Sequence, residues 1–455
     1  MRENRMGTDP IPSLLIRMTL PLMVSLVVSS LYNLVDSVFV SRIEEEAITA
    51  LTLAAPIQSV IAAFGMGNAI GLNAAVSKAL GAGDKERVKR LSSASLWLAL
   101  LSYALICAIC LLAAEPYIRW QAAGNENVFR YAIQYLKICM FFSLGQMLQW
   151  VFDRLLIASG RSELFLITLT LATAVNFVLD PIFIFGWFGL PAMGTAGAAA
   201  ATVIAQHCGA LAGWFINRKH NHEIPISLKN GMERSCVFEI LKVGIPSIIV
   251  QDIIAFVNMI MNTILIGFSV TVVAVWGIAA RIQGLMLIPM HAMNNGMVPI
   301  VAYNFGAARK DRMMETYRLT AVGSFALMAV EFLLLMVFPA SVLKLFNASD
   351  TMLAVGVPLL RTMALCYLVQ PAGMVNSSML QALGEGVRSM MLTMCRTVFF
   401  PWTFILLFLK TGNLYLILSS YAIGEVLSIP IGIGIIQGIR RRVLDKLCPE
   451  VESGR

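Results

Sequence analysis

Of the 455 residues in this chain only 13% are charged while 58% are hydrophobic, and the mean hydropathy is +0.77. A soluble domain of this size needs a polar shell and carries about 25% charged residues, so a soluble globular protein is excluded. The net charge of +8 does not mark a nucleic-acid partner, because Lys and Arg fall in short clusters between apolar runs and not along one face.

In chain order, apolar segments broken by Gly, Pro or charge clusters run over 12–41, 48–79, 91–114, 130–157, 163–187 and 194–216. Six more follow at 238–267, 272–304, 316–339, 353–383, 388–409 and 414–438. A spanning helix needs roughly 20 mainly apolar residues, so the chain is predicted to be an all-α polytopic membrane protein with twelve transmembrane helices. The first segment has no small-residue cleavage site and reads as a span, not a signal peptide. Cys107 and Cys110 lie inside the third segment, where packing is the expected use of a thiol without a polarising partner.

Sorting Lys and Arg by loop parity puts 26 of the 34 on one side, among them Arg154 with Arg161 and Arg388 with Arg396. Six lie on the other, and Lys137 and Arg281 fall within helices. The positive-inside rule then places both termini in the cytoplasm.

The sequence also repeats. At an offset of 225, Pro21 falls on Pro246, Asn33 on Asn258, Gln58 on Gln283 and Gly71 on Gly296, and GAGDKER at 81–87 falls on GAARKDR at 306–312. Six helices per half make this a parallel repeat, with an N-lobe at 1–216, a cytoplasmic linker at 217–235 and a C-lobe at 236–455. Two six-helix bundles of this kind suit alternating access around a site near the midplane.

An ionisable group in hydrocarbon costs roughly 2.5–3.5 kcal/mol on insertion scales, so each one needs a partner or a role. The first span carries Asn33 and Asp36 on one face, and the fifth carries Asn176 and Asp180, followed by Pro181. Proline gives no N–H to the carbonyl of Phe177 and crowds it, which predicts a kink there. Asp36, Asn176, Asp180 and Thr202 form an oxygen-donor set suited to a hard cation such as Na+. Two carboxylates in low dielectric take up a proton or share a cation, which is a physical basis for ion coupling to Na+ or H+. Asn33, Gln58, Asp252, Arg281, Gln283 and Gln370 are candidates for a substrate cavity, and Asp252, Glu331 and Glu425 for a second one. Asp153 reads as a loop residue beside Arg154. No nucleotide loop, metal constellation or Ser/His/Asp arrangement points to an enzyme, and no cofactor is expected.

The first-span run LYNLVDSVFV with Pro21, GAGDKE at 81–86, NFVLDPIF at 176–183, GTAGAAAAT at 194–202 and YNFGAARKDR at 303–312 together resemble the multidrug and toxic compound extrusion (MATE) family, in particular its MepA-like bacterial branch. The resemblance covers essentially the whole chain. It implies a two-lobe antiporter that acts as a monomer in the lipid bilayer and expels drug-like, often cationic, small molecules in exchange for Na+ or H+. It also implies an ion site at Asp36, Asn176, Asp180 and Thr202. Some members carry acids on the seventh and tenth helices of the C-lobe. Here the tenth-helix position is Gln370 and the seventh helix offers Asp252 without a clear match, so coupling is placed in the N-lobe. The alternative is a flippase of lipid-linked precursors with the same architecture, which needs several Arg or Lys facing its cavity where this chain offers Arg281 and Lys137.

Overall fold

The structure, a computed structural model, describes residues 4–40, 43, 45–346 and 348–439, with the side chains at 32–38, 40, 45 and 255 outside the described set. All its regular elements are helical. A short α1 (Arg5–Thr8) precedes α2 (Ile11–Val40), α3 (Glu45–Gly81), α4 (Lys85–Ile109) and α5 (Glu115–Gln121). Then come α6 (Glu126–Phe141), α7 (Leu144–Ala158), α8 (Ser162–Phe185) and α9 (Thr195–His220). The second half holds α10 (Arg234–Ile266), α11 (Val270–Met286), α12 (Ile288–Gly306), α13 (Lys310–Val337) and α14 (Pro339–Lys344). It closes with α15 (Asp350–Ala382), α16 (Gly386–Met394), α17 (Phe400–Leu409) and α18 (Leu414–Ile439).

Among the described residues ten helices are long and apolar enough to cross a membrane, or eleven if a bent pair is one span. Every one of the twelve expected segments meets a helix or a helix pair, and two of them are broken. The segment at 272–304 bends by 41° between α11 and α12. Pro289 causes this, because in the first turn of α12 its missing N–H costs nothing there but cannot continue α11. The segment at 130–157 divides at Phe142 and Ser143 into α6 and α7, of 16 and 15 residues.

Tertiary contacts gather into two compact units, Leu20–Ile248 and Met1–Thr19 with Ile249–Arg455. The expected halves divide the chain at the linker; the units divide it inside α2 and α10.

In the unit Leu20–Ile248 the core is built from Leu72, Val76, Leu91, Ile106, Met147, Val151, Leu155 and Ile240. Membrane helices associate by close packing and not by excluding water, so small residues mark their contacts. The segment 217–235, expected as the linker, is tied down by side-chain bonds. Asn217 donates to the Phe152 carbonyl (3.0 Å), Asn221 to that of Leu155 (3.2 Å), and Ser93 to that of Gly231 (2.8 Å). Arg87 pairs with Glu239, and Arg90 with Glu233 at 3.0 Å. The Ser235 hydroxyl, followed by the Arg90 guanidinium, holds the Glu233 carboxyl below the usual carboxylate range.

The other unit has one core around Met261, Val275, Met290, Met328, Leu359 and Ile417, and a second around Met297, Val301, Met313, Leu380 and Leu392. Arginines of the α12–α13 turn hold the start of the chain. Arg312 donates to the carbonyls of Met6 (3.1 Å) and Asp9 (2.7 Å), and Arg309 to that of Gly7 (2.6 Å). Asn304, itself bonded to Arg312, donates to Met6 as well. Hydrogen bonds from charged donors contribute about 1.5–3 kcal/mol. Arg312→Ala is therefore expected to loosen α1 and accelerate trypsin cleavage at Arg5 severalfold without unfolding the protein. An unchanged cleavage rate would remove any anchoring role for Arg312.

Candidate functional site

Two of the buried polar residues of the unit Leu20–Ile248, Asn176 and Asp180, lie where α8 packs on α9. Two features bring these helices together. Gly197 faces the backbone of α8, and a Cβ there would lie 2.4 Å from the Phe183 carbonyl oxygen. The chain also turns tightly between the helices, with Met193 and Gly194 donating to the carbonyls of Phe183 and Ile184. Gly194 holds φ = 56°, a value that suits glycine because it has no Cβ to clash. The run of Ala and Gly from 196 to 201 then keeps α9 slim enough for the polar side chain that follows it.

That side chain is Thr202. The Asn176 amide nitrogen donates to the Thr202 hydroxyl at 3.4 Å and to the Asp180 carboxylate at 3.2 Å. Asn176 is 2% exposed and Asp180 1%. The carbonyl oxygen of the Asn176 side chain has no hydrogen-bond partner, and an orphaned buried acceptor of this kind calls for a cation, a proton donor or a water. One step further, α8 runs unbroken through Pro181, which is buried. The proline leaves the Phe177 carbonyl without its helical donor, so another oxygen lies close to the carboxylate.

The sequence-derived set is thus brought together as far as it is described: Asn176, Asp180 and Thr202 form one connected cluster. The side chains of Asn33 and Asp36 lie outside the described residues. On α2, however, Phe39 sits between Phe177 and Phe185 of α8, with ring centroids 6.0 and 6.3 Å apart. These two residues flank Asp180, so α2 reaches α8 at the level of the carboxylate.

The expected cavity residues are spread over both units. Gln58 is half-buried on α3. In the other unit Asp252 on α10 and Arg281 on α11 are exposed, while Gln283 on α11 and Gln370 on α15 are half-buried. The Gln370 side-chain oxygen has no partner. Lys137 lies 4.0 Å from Glu115.

Two expectations are overturned. Asp153 is not a loop residue: it is 7% exposed inside α7 and accepts from the Thr168 hydroxyl at 2.6 Å. Gln149, one turn earlier on α7, bonds it as well. Arg396 does not belong to a cytoplasmic loop either. It is 7% exposed and pairs with Glu425 at 2.8 Å. Glu425, expected to line a cavity, is committed to that pair. Neither arrangement is visible in sequence, since both depend on a partner brought in by a different helix.

Comparison with known proteins agrees with this architecture. A family model described as MatE matches residues 21–182 and 246–402. The multidrug export protein MepA of Staphylococcus haemolyticus (strain JCSC1435) is 26% identical over 434 residues, covering 93% of each chain. MepA of Staphylococcus aureus (strain N315) is 23% identical over 419 residues, covering 90% of this chain and 91% of that one. Among solved structures, the outward-facing conformation of a multidrug resistance MATE family transporter of the MOP superfamily is similar, with a TM-score of 0.89, 25% identity, and 98% and 99% of the two chains covered. A MOP superfamily transporter from Pyrococcus furiosus Vc1 (DSM3638) matches with a TM-score of 0.88, 25% identity and the same coverage.

Proposed function

Because this chain belongs to the MatE family, whose proteins are multi-pass membrane transporters and not enzymes, we propose that it is a secondary multidrug antiporter that exports amphipathic or cationic organic compounds in exchange for Na+ or H+. The observation that carries this reading is the Asp180 carboxylate, 1% exposed and held by Asn176 next to Thr202. A buried carboxylate with an orphaned amide oxygen beside it binds a proton or a desolvated cation more readily than a solvated one does. The contact of Phe39 with Phe177 and Phe185 supports a place for Asp36 in the same site, since Asp36 stands one helical turn from Phe39 on α2.

In this reading the ion is cargo, and its arrival changes the charge of the Asp36 and Asp180 pair. The change favours one packing of α2 and α8 over the other, and a ligand shifts an equilibrium only by such a difference in affinity. The lobes at 1–216 and 236–455 alternate between the two sides of a bacterial cytoplasmic membrane, with both termini in the cytoplasm and one chain sufficient for export. Asn33, Gln58, Asp252, Arg281, Gln283 and Gln370 supply polar contacts to the exported compound. A lipid-precursor flippase is disfavoured, because such a site needs several free cations and Lys137 is already within reach of Glu115.

The experiment is export of tetraphenylphosphonium from proteoliposomes under separately imposed Na+ and pH gradients. At least one gradient is expected to drive uphill movement. Movement under neither would sink the antiport reading.

A further inference from the structure

The internal repeat allows the candidate site to be sought a second time, in the other half. Helix α8 and the segment Gly386–Leu409 are both 24 residues long, and α9 and α18 are both 26. Their bounds set offsets of 224 for the first pair and 219 for the second. Asn176 then falls on Phe400, Asp180 on Phe404 and Thr202 on Tyr421, so none of the three polar residues is retained. One helical turn away, where the first half has Ala172 and Gln206, the second half has Arg396 and Glu425. Four residues of helix are about 6 Å. Arg396 thus lies one turn from the position matching Asn176 and two turns from the one matching Asp180, and Glu425 lies one turn from the position matching Thr202.

The surroundings of the second pair are built for it. Arg396 sits in a π-helical segment, Cys395–Phe399, a rare insertion that recurs at functional positions. Gly373 of α15 faces both partners. A Cβ there would lie 2.8 Å from Cδ of Arg396 and 3.1 Å from Oε2 of Glu425, so α15 has no side chain where the pair needs room. The Arg396 Nε and the Glu425 Oε2 have no hydrogen-bond partner, nor has the Tyr421 hydroxyl one turn away. The titratable groups on the elements packed around it are His291 on α12, Cys366 and Tyr367 on α15, Cys395 beside Arg396, and Tyr421 on α18, with Glu331 on α13 beyond them.

We propose that Arg396 is a tethered counter-cation for Glu425 that occupies the place an exchangeable cation would take there, so that Glu425 adds nothing to the exchange ratio. A lone buried carboxylate at Glu425 would take up a proton or a metal cation. The guanidinium forestalls both: it already sits 2.8 Å from the carboxylate, and its own chain keeps it from leaving. Arg396 is therefore a specificity-determining residue, acting through Glu425 on which ions the transporter counts.

The inference rests on the antiport reading, and the experiment separates the two. The flux-reversal gradient for tetraphenylphosphonium in proteoliposomes gives the number of cations exchanged per substrate. Wild type and the double variant Arg396→Leu/Glu425→Leu are expected to reverse at the same gradient, since replacing both partners of a buried pair by apolar residues leaves no charge unpaired. Arg396→Leu alone exposes Glu425 to titration, and its ratio is expected to rise by about one cation per substrate, with an added step in the pH profile. A well-folded Arg396→Leu with the wild-type ratio overturns the proposal, and so does a double variant with a lower ratio. Should the single variant fail to fold, the double variant decides. A wild type driven by neither gradient counts against the antiport reading instead. Infrared difference spectra then judge Arg396 without transport. A protonated-carboxyl band that disappears in Glu425→Gln is expected in Arg396→Leu or, if that variant does not fold, in Arg396→Gln; its presence in the wild type overturns the proposal.

Discussion

Asp180→Asn is expected to fold and insert as the wild type does and to lose gradient-driven export. The substitution is nearly isosteric and keeps an oxygen for the bond that Asn176 donates over 3.2 Å, so the α8–α9 contact has no reason to change. What disappears is the charge. A carboxamide neither binds a proton in the working range nor neutralises a desolvated cation, and the driving ion then loses its difference in affinity between the two conformations and shifts neither. Coupling free energies of about 1–3 kcal/mol correspond to roughly 5–150-fold, and uphill export of tetraphenylphosphonium is expected to fall by an amount in that range. Downhill equilibration through the same variant is expected to persist, because the substrate contacts are untouched. Equal uphill rates in Asp180→Asn and wild type, measured in matched proteoliposomes, would remove Asp180 from the coupling site.

How far the sequence spoke for this structure depends on the scale of the forces involved. The spans were legible because bilayer thickness imposes a length and a composition on any crossing helix. The α8–α9 cluster was legible because Asn176 and Asp180 are too costly in an apolar run to be incidental, and because four residues apart on a helix means one face. Arg396 was misread because eight residues separate it from Arg388 near the start of a helix, and only Glu425, 29 residues further on, reveals that it is buried. Asp153 was misread for the same reason: its partner Thr168 is supplied by the next helix. The break at Phe142 and Ser143 has no proline or glycine to announce it, whereas the bend before α12 could have been read from Pro289. The glycines of α3 carried a signal that went unused, since Gly67 and Gly71 have the spacing by which membrane helices approach closely.

That spacing leads to the prediction with the largest effect on folding. A Cβ on Gly71 would lie 2.0 Å from the Ile240 carbonyl oxygen and 2.8 Å from its carbon. Both are backbone atoms of α10, so no side chain can swing aside and the two helices must part. One turn earlier the contact is reciprocal: a Cβ on Gly244 would meet the Gly67 oxygen at 2.5 Å, and one on Gly67 the Gly244 oxygen at 3.0 Å. Leu72, Val76 and Ile240 of the same core follow from this approach. Overpacking costs about 1–3 kcal/mol and occasionally more, and a clash with fixed backbone belongs at the upper end, so Gly71→Ala is expected to lower the thermal midpoint in detergent by several degrees. Gly71→Val is expected to prevent recovery of folded protein. The repeat supplies a comparison, because Gly296 occupies the same position in the second half. There a Cβ would meet the Thr19 hydroxyl at 3.1 Å and the Met18 Cβ at 3.5 Å, and a hydroxyl can rotate away. Gly296→Ala is therefore expected to cost less than Gly71→Ala. Gly277→Ala, with nothing within 4 Å, is expected to be neutral or to stabilise α11 slightly through its helix propensity. A thermal series that ranked the three alanines in the reverse order would mean that backbone contact between α3 and α10 does not hold this unit together.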